Sequence, residues 1–354
     1  KKLWKTNYLV AIVGFFFIFL GVESLIQDRL KSDFFQIYKH AAVETRELQD
    51  RPVTPENVTY YLFTKNNPDE YIELNESNLD LLNDRKIVFF VHGWTGSREA
   101  DWYEDLKDAF LTSYPDYYVV QVDWREPADQ LYYVSSINTY EVAKIISKLI
   151  LELHQHHNVD LNQILLIGHS LGAHVVGFIG EEIYRQTGEK LPRIIALDPA
   201  GPLFSTRPED KRLNKDDAKV VEVIHTDGGT FGYNDAIGTV DFFANGGSSQ
   251  PGCKRIDLLD LKSVAEPITC DHQRSHQYFI EAILNPKEFT ARSCSDWDSY
   301  ENGKCERGEE VKLGDLTTLA TGNFYLETNK EKPYAKRTSN EGGLTSKLLK
   351  VLGG

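Results

Sequence analysis

The five residues Gly168-His-Ser-Leu-Gly172 constrain the fold of this chain more than any other segment. An apolar run of strand character, Gln163–Ile167, leads directly into them, and a segment of helical character begins after them at Ala173. This order predicts a strand, a sharp turn and a helix, which together lift the Ser170 hydroxyl clear of a sheet. Glycines suit both ends of such a turn, because neighbouring backbone can approach them without meeting a Cβ atom. The alternative interpretation is a helix that begins after a glycine and is capped by the serine.

Short apolar runs of strand type alternate with segments of helical periodicity along the middle of the chain. The segment Asn138–His157 shows this periodicity, since its apolar residues recur at i, i+3, i+4 and i+7 and form one stripe. Strands that alternate with such helices indicate βαβ units, and hence an α/β fold with a mainly parallel central sheet flanked by helices. The predicted strands are Lys86–Val91, Tyr118–Asp123, Gln163–Gly168, Arg193–Leu197 and Lys219–Ile224.

A reactive serine needs a base, and the base needs a carboxylate that orients it. On sheets with a strand–turn–helix serine, these groups follow along the chain in the order serine, acid, histidine. Asp198 fits the acid, because it directly follows the predicted strand Arg193–Leu197 and comes 198 − 170 = 28 residues after Ser170. That interval holds one helix and one strand, so the acid is expected on the strand next to that of the serine. The alternative is that Asp198 only initiates a turn before Pro199.

Three later histidines compete for the role of base. His225 ends a predicted strand, so its position alone makes it a candidate. His272 is predicted in a loop just after Cys270 and before a helix over Arg274–Leu284, where a disulfide could anchor it. His276 falls inside that helix and is predicted to be a partly exposed surface residue. Position in the pattern favours His272 and leaves His225 open.

A tetrahedral oxyanion formed at Ser170 would need two backbone N–H donors. Leu171 directly follows the serine and lies at the positive end of the predicted helix, so its amide is the first candidate. The strand Lys86–Val91 ends in His92-Gly93-Trp94, where Gly93 permits a turn and the Trp94 amide is the second candidate. The alternative is a strand that simply ends at a glycine.

The charge balance and the N-terminus indicate where such a chain works. With 39 Lys+Arg against 53 Asp+Glu, the net charge of −14 opposes binding to nucleic acid. A basic head followed by the uncharged run Tyr8–Val22 predicts a signal peptide over residues 1–24, with an uncleaved signal anchor as the alternative. We therefore expect secretion, glycosylation at the acceptor motifs of Asn57 and Asn75, and a loosely ordered tail over residues 331–354.

The four cysteines fall in two close pairs, Cys253/Cys270 and Cys294/Cys305. Four cysteines permit three pairings, and two local disulfides are the pairing that these spacings favour. The spacings include no close Cys-x-x-Cys pair with histidine ligands, so we expect no zinc site. Two disulfides agree with a secreted protein.

Together these segments resemble the pancreatic lipase family of α/β hydrolases, and the resemblance covers most of residues 50–330. It implies an α/β-hydrolase domain over residues 25–330, with Ser170 as nucleophile, Asp198 as acid and His272 as base. It also assigns the oxyanion donors to Trp94 and Leu171. The segments that carry it are Phe89-Phe-Val-His-Gly-Trp94, Val122-Asp-Trp124, Gly168-His-Ser-Leu-Gly-Ala-His174, Ala196-Leu-Asp-Pro-Ala-Gly-Pro202, Val223-Ile-His-Thr-Asp227, Asp241-Phe-Phe-Ala-Asn-Gly-Gly247 and Cys270-Asp-His-Gln-Arg-Ser275.

The resemblance also bears on the substrate, which we expect to be a lipid at a membrane or lipid interface. In the family the lid lies between the two cysteines that precede the catalytic histidine, and here 16 residues separate Cys253 from Cys270. This lid and the stretch from Asp227 to Asp241 are both short, as in the phospholipases A1 of the family and in insect lipases of one domain. Phospholipase A1 activity is therefore the first expectation, a neutral triacylglycerol lipase the second, and a lipid-carrying or yolk-like protein without catalysis the third.

Two further expectations concern ligands. After residue 330 only 24 residues remain, too few for the C-terminal domain that binds colipase in pancreatic lipase, so no colipase is expected. The calcium site of some members maps onto Glu209, Arg212, Asn214 and Asp217, where Asn214 replaces an expected carboxylate. Loss of an anionic ligand weakens a site for a hard cation, so we expect neither a required metal nor another cofactor.

Overall fold

The computed structural model describes residues 52–253 and 265–336, and the predicted signal peptide lies outside them. The strands in these ranges form one sheet in the order β10-β9-β11-β8-β7-β6-β5-β3-β4-β1-β2. Their bounds are β1 Thr59–Thr64, β2 Asn67–Glu73, β3 Lys86–Val91, β4 Tyr117–Asp123, β5 Ile164–His169, β6 Arg193–Leu197, β7 Val220–His225, β8 Val240–Ala244, β9 Thr290–Ser293, β10 Glu310–Lys312 and β11 Gly322–Leu326.

The α-helices of the described ranges connect these strands. They are α1 Asp101–Ser113, α2 Arg125–Ala128, α3 Tyr132–His156, α4 Leu171–Thr187, α5 Ala265–Leu284 and α6 Trp297–Glu301. Short 3-10 helices cover Pro55–Asn57, Leu79–Leu82, Leu161–Gln163, Glu209–Lys211 and Asn245–Gly247.

The central strands are parallel, as the alternation of elements predicts. Parallel pairing joins β4 to β3 and continues through β5, β6, β7 and β8 to β11. Antiparallel strands complete the two edges, with β1 and β2 beside β4 and with β9 and β10 beside β11. The carboxyl ends of β3, β5, β6 and β7 therefore meet at one edge of the sheet, which is where ligands bind in open α/β sheets.

A hydrophobic core lies on each face of the sheet. In β3, Ile87 and Phe89 pack into the core beneath α3 and α4, whereas Val88 and Phe90 pack into the core beneath α1 and α5. This alternation is that of a strand buried on both faces, which explains why the strands read as continuous apolar runs. Within the described residues, no helix combines the length and the apolar character needed to cross a membrane.

The predicted elements are present with small shifts at their ends. Strands Lys86–Val91 and Arg193–Leu197 have the predicted bounds, and the other three differ by one residue at one or both ends. The helix predicted over Asn138–His157 begins earlier, at Tyr132. Tyr334 and Ala335, at the start of the predicted tail, are buried, and their backbone N–H groups donate to Glu281.

Both disulfides have the predicted pairing. Cys253 is bonded to Cys270 and Cys294 to Cys305, each pair with a Cα–Cα distance of 5.6 Å. The Cys253–Cys270 bond joins the segment that follows β8 to helix α5. It therefore closes the segment that contains residues 254–264, which lie outside the described ranges.

Candidate active site

Ser170 lies between β5 and α4 in the sharp turn that the sequence predicts. Its backbone has φ 58° and ψ −121°, a conformation that non-glycine residues rarely adopt. The turn is held to the neighbouring strand, because the Ser170 N–H donates to the Leu197 carbonyl at 3.1 Å. A residue held in this strained conformation is typical of a functional position.

The two flanking glycines are required by close backbone contacts. A Cβ on Gly168 would collide with the backbone of Gly172, and a Cβ on Gly172 would collide with the carbonyls of Val91 and His92. These contacts join the turn to itself and to the end of β3. The structure therefore supports the physical reason given for glycine at both positions.

Asp198 follows β6 and is fully buried. One carboxylate oxygen accepts hydrogen bonds from the N–H groups of Thr226 at 2.8 Å and Asp227 at 3.1 Å. The other carboxylate oxygen lies 2.5 Å from Nδ1 of His272. Asp198 and His272, which are 74 residues apart in the chain, thus form the pair that the resemblance predicts.

His272 lies in helix α5, and its prediction in a loop before a helix at Arg274 was wrong. Among the residues of this helix whose side chains are described, 269–284, those that reach the core begin at Tyr278, so the apolar pattern does not extend to His272. Polar and aromatic groups lie beside His272 instead. The Ser275 hydroxyl donates to the His272 carbonyl at 2.9 Å, and His169, the residue before Ser170, has its ring 4.5 Å from the ring of His272.

His225, the alternative base, is fully buried and already bonded at both ring nitrogens. Nε2 lies 2.8 Å from Asp241, Nδ1 lies 3.0 Å from the Tyr233 carbonyl, and the ring stacks on Phe243. His225 therefore joins β7 to β8 and to the segment before β8. The Asp198 carboxylate pairs with His272 instead.

His276 is buried, so its prediction as a partly exposed residue was wrong. Its ring stacks on Trp102 at 4.9 Å and lies 5.3 Å from the ring of His169. Burial lowers the pKa of His276 to about 3 and that of His169 well below its ordinary value, so both imidazoles are neutral. They form an uncharged aromatic wall beside His272.

The two predicted oxyanion donors belong to segments that adjoin Ser170. Leu171 is buried and begins α4, directly after the serine. A Cβ on Gly93 would lie 2.7 Å from the Cβ of Ser170, which places the Gly93-Trp94 segment against the serine. The Trp94 indole packs edge-on against Tyr132 and donates to the Gln130 carbonyl at 2.8 Å.

Asp227 is a second buried carboxyl at this site and was not among the predicted site residues. It follows β7 as Asp198 follows β6, and a ligand atom of each lies within 4.8 Å of the other and of a His272 ring nitrogen. Burial and the nearby charge of Asp198 raise the pKa of Asp227 to about 9, so this carboxyl holds a proton at neutral pH. Its position after a parallel strand is the signal that could have identified it.

The residues that map onto the family's calcium site form hydrogen bonds and an ion pair with one another. The Asn214 backbone N–H and side-chain amide donate to the two carboxylate oxygens of Asp217 at 2.9 and 2.8 Å. Arg212 lies 3.9 Å from the Glu209 carboxylate. The side-chain amide of Asn214 thus donates to the Asp217 carboxylate, which a bound cation would need as a ligand.

The two glycosylation motifs differ in exposure. Asn75 is exposed, and its side-chain oxygen accepts hydrogen bonds from the N–H and hydroxyl of Ser77. Asn57 is half-buried and donates to the Glu126 carboxylate at 2.7 Å. Glycosylation at both positions stays a prediction, with Asn75 the more accessible.

The mainly parallel sheet and its strand–turn–helix serine define an α/β-hydrolase fold. The family model described as Lipase matches residues 26–334, and the chain belongs to this family. The match covers the sheet, the Ser170 turn and the Asp198–His272 pair.

Curated relatives agree with this family. Pancreatic triacylglycerol lipase of Cavia porcellus is 33% identical over 79% of this chain and 65% of that protein. Lipase member H-A of Xenopus laevis is 37% identical over 70% of this chain and 53% of that protein. Inactive pancreatic lipase-related protein 1 of Mus musculus is 32% identical over 84% of this chain and 68% of that protein. The chain thus spans about half to two thirds of the length of these relatives.

Proposed function

We propose that this chain is a secreted serine hydrolase that releases fatty acids from lipid esters at a lipid surface. The observation that carries the proposal is the 2.5 Å contact between His272 Nδ1 and the buried Asp198 carboxylate, at the same sheet edge as the strained Ser170 turn. Serine nucleophiles are activated by a histidine that a carboxylate orients. The two disulfides support secretion, because such bonds persist in oxidising compartments.

The proposed reaction is an acyl transfer in two steps. The Ser170 hydroxyl oxygen bonds to the ester carbonyl carbon while His272 accepts its proton, and Asp198 stabilises the imidazolium. The amides of Trp94 and Leu171 donate to the oxyanion, which collapses as the alcohol leaves with the proton from His272. Water then attacks the acyl-enzyme through the same base, and the fatty acid and free Ser170 are released.

One relative carries the word inactive in its name, so similarity to the family does not by itself establish activity. A fluorophosphonate probe tests the proposal directly, because only an activated serine is labelled. We expect labelling of the wild type and none of Ser170→Ala, with ester turnover at least about 10⁴-fold lower in the variant and an unchanged circular dichroism spectrum. An unlabelled and inactive wild type would instead support the lipid-carrying alternative.

Within this class we propose phospholipase A1 activity. The segment between β7 and β8 is short and lies against the sheet, since the N–H groups of Ile237 and Gly238 donate to Asp241. The Gly232 backbone N–H donates to the Asp227 carbonyl at 2.9 Å, which holds this segment close to Asp198. A short segment here supports an acyl site with room for a phospholipid head group.

The substrate test compares two lipids with the same purified chain. Phosphatidylcholine with different acyl groups at sn-1 and sn-2 is presented beside a triglyceride, with Ser170→Ala as the control. We expect release from sn-1 with little cleavage of the triglyceride. Preferential cleavage of the triglyceride would identify a neutral lipase with the same catalytic residues and would contradict the phospholipase assignment.

A further inference from the structure

His92 precedes the two residues that form the proposed oxyanion loop, and the mechanism above gives it no role. We propose that His92, held by Trp124, is the positioning residue that directs the Trp94 amide toward Ser170. This inference rests on the proposed hydrolase function. It also accounts for the Val122-Asp-Trp124 segment, which the reaction itself does not use.

The hydrogen bond to the Gly93 carbonyl requires a proton on Nδ1 of His92. The Gly93 carbonyl can only accept, and it lies 3.0 Å from Nδ1. The Nδ1–H of His92 therefore donates to the Gly93 carbonyl. On the other side of the ring, the Trp124 backbone N–H lies 3.1 Å from Nε2.

The same bond determines the direction of the Trp94 amide. The Gly93 carbonyl and the Trp94 N–H belong to one peptide unit, which is planar and trans, so the two groups point in opposite directions. With the carbonyl held toward His92, the N–H points away from the ring. Gly93 lies against Ser170, because a Cβ placed on Gly93 would come 2.7 Å from the Ser170 Cβ. In this proposal the Trp94 N–H, directed away from His92, points to this side. The Gly96 N–H donates to the same carbonyl at 3.1 Å and assists His92.

Trp124 holds the imidazole by two further contacts. Its indole is stacked on the His92 ring at 5.4 Å with an interplanar angle of 12°, and its Nε1 donates to the His92 carbonyl at 2.8 Å. His92 and Trp124 are both fully buried, so water does not compete for these bonds. The network is preorganised, which is the property that makes an oxyanion donor effective.

The carboxylate of Asp123 completes the surroundings of the ring. It lies 3.3 Å from Nε2 of His92 and accepts from Arg125 at 2.8 Å. Burial alone would raise the pKa of Asp123, but its bonds to His92 and Arg125 hold that pKa well below its ordinary value.

The test uses two substitutions of different chemistry and one remote control. His92→Leu removes both ring nitrogens, whereas His92→Asn can place an amide N–H near the position of Nδ1. His154→Asn is the control, because Nδ1 of His154 also lies on a backbone carbonyl, that of Val159, but near the far end of α3. The assay measures kcat and KM with a p-nitrophenyl ester, and the affinity for an alkyl boronic acid whose serine adduct places an oxygen in the oxyanion position.

We expect His92→Leu to lower kcat between about 10-fold and 1000-fold with KM changed less than about threefold, because the donor acts in the transition state. Boronic acid affinity falls in parallel, His92→Asn recovers part of both losses, and His154→Asn matches the wild type. The inference is overturned if folded His92→Leu keeps kcat within twofold of the wild type, or if KM alone changes.

A second measurement does not depend on how the variants fold. Nitrogen-15 NMR of the wild type is expected to show a proton on Nδ1 of His92, and an Nδ1 that carries no proton would overturn the inference. The two proposals fail in different ways. A wild type that hydrolyses no ester refutes the proposed function, whereas an active wild type with an equally active His92→Leu variant refutes only the positioning role.

Discussion

Replacing Asp227 by Asn should stabilise the protein at neutral pH, although it removes a buried carboxyl beside the proposed catalytic residues. Asp227 is buried and lies close to Asp198, and these two features raise its pKa to about 9. At pH 7 the folded protein therefore holds a proton on this group that the unfolded chain releases. Asn has nearly the same shape and no charge, and it retains an oxygen that can accept from the Phe231 N–H as Asp227 does at 3.3 Å.

The magnitude follows from proton linkage. The pKa of this carboxyl is raised in the folded state, so its folding penalty is absent below the ordinary value of 3.8 and grows as the pH rises toward about 9. The slope in that window is about 1.4 kcal/mol per pH unit. At pH 7, about three units above the ordinary value, the penalty is about 4 kcal/mol. The asparagine of Asp227→Asn carries no titratable proton and so has no such penalty. The free energy of unfolding of Asp227→Asn therefore rises relative to that of the wild type as the pH rises.

The assay is urea unfolding of both proteins at several pH values between 4.5 and 8.5. We expect similar free energies of unfolding near pH 4.5 and a difference of about 2–4 kcal/mol in favour of Asp227→Asn at pH 7. Asp116→Asn, at an exposed turn, is the control and should change the free energy of unfolding by less than about 0.5 kcal/mol, as surface substitutions usually do. A constant difference for Asp227→Asn, or a less stable variant at pH 7, would refute the reasoning.

Measurements of kcat distinguish the roles of the neighbouring carboxyls Asp227 and Asp198. Asp227→Asn should keep kcat at pH 7 within about threefold, because the carboxyl is already neutral there. Asp198→Asn should lower kcat by about 10⁴-fold, the loss seen for the same change in serine proteases, because Asn stabilises the wrong tautomer of the base. Equal losses in the two variants would contradict the assignment of Asp198 as the orienting acid.

Three further predictions concern the turn, the disulfide and the metal. Gly172→Ala should abolish activity and destabilise the fold, because the new methyl group collides with the Val91 carbonyl; a variant with wild-type melting temperature and kcat would contradict this. Replacing both Cys253 and Cys270 by Ser opens a loop with a sequence separation of 17 and should lower the free energy of unfolding in urea by about 3 kcal/mol. A decrease of less than about 1 kcal/mol would contradict this prediction. Chelation with EDTA should leave activity unchanged because Asn214 occupies the carboxylate of the calcium position, whereas a loss that calcium restores would show the opposite.

The local sequence was sufficient for five of the parallel strands and for two of the proposed catalytic residues. Runs of buried apolar residues identify these five strands, because both faces of the sheet are covered and no face has to be polar. Ser170 and Asp198 each follow such a strand directly, so a short segment contains both the strand and the functional residue. The glycines of the Ser170 turn could be predicted for the same reason, since the contacts that exclude a Cβ begin within the turn itself.

The local sequence pattern left both His272 and His225 open as the partner of Asp198, and the family resemblance assigned His272. The tertiary structure shows this pair in contact, although the two residues are 74 positions apart in the chain. The raised pKa of Asp227 depends on burial and on the charge of Asp198, which neighbouring residues in sequence do not report. The position of the His92 ring likewise depends on Trp124, 32 residues later. Hydrophobic periodicity is a property of consecutive residues, whereas hydrogen bonds and electrostatic interactions depend on which distant segments the packed sheet brings together.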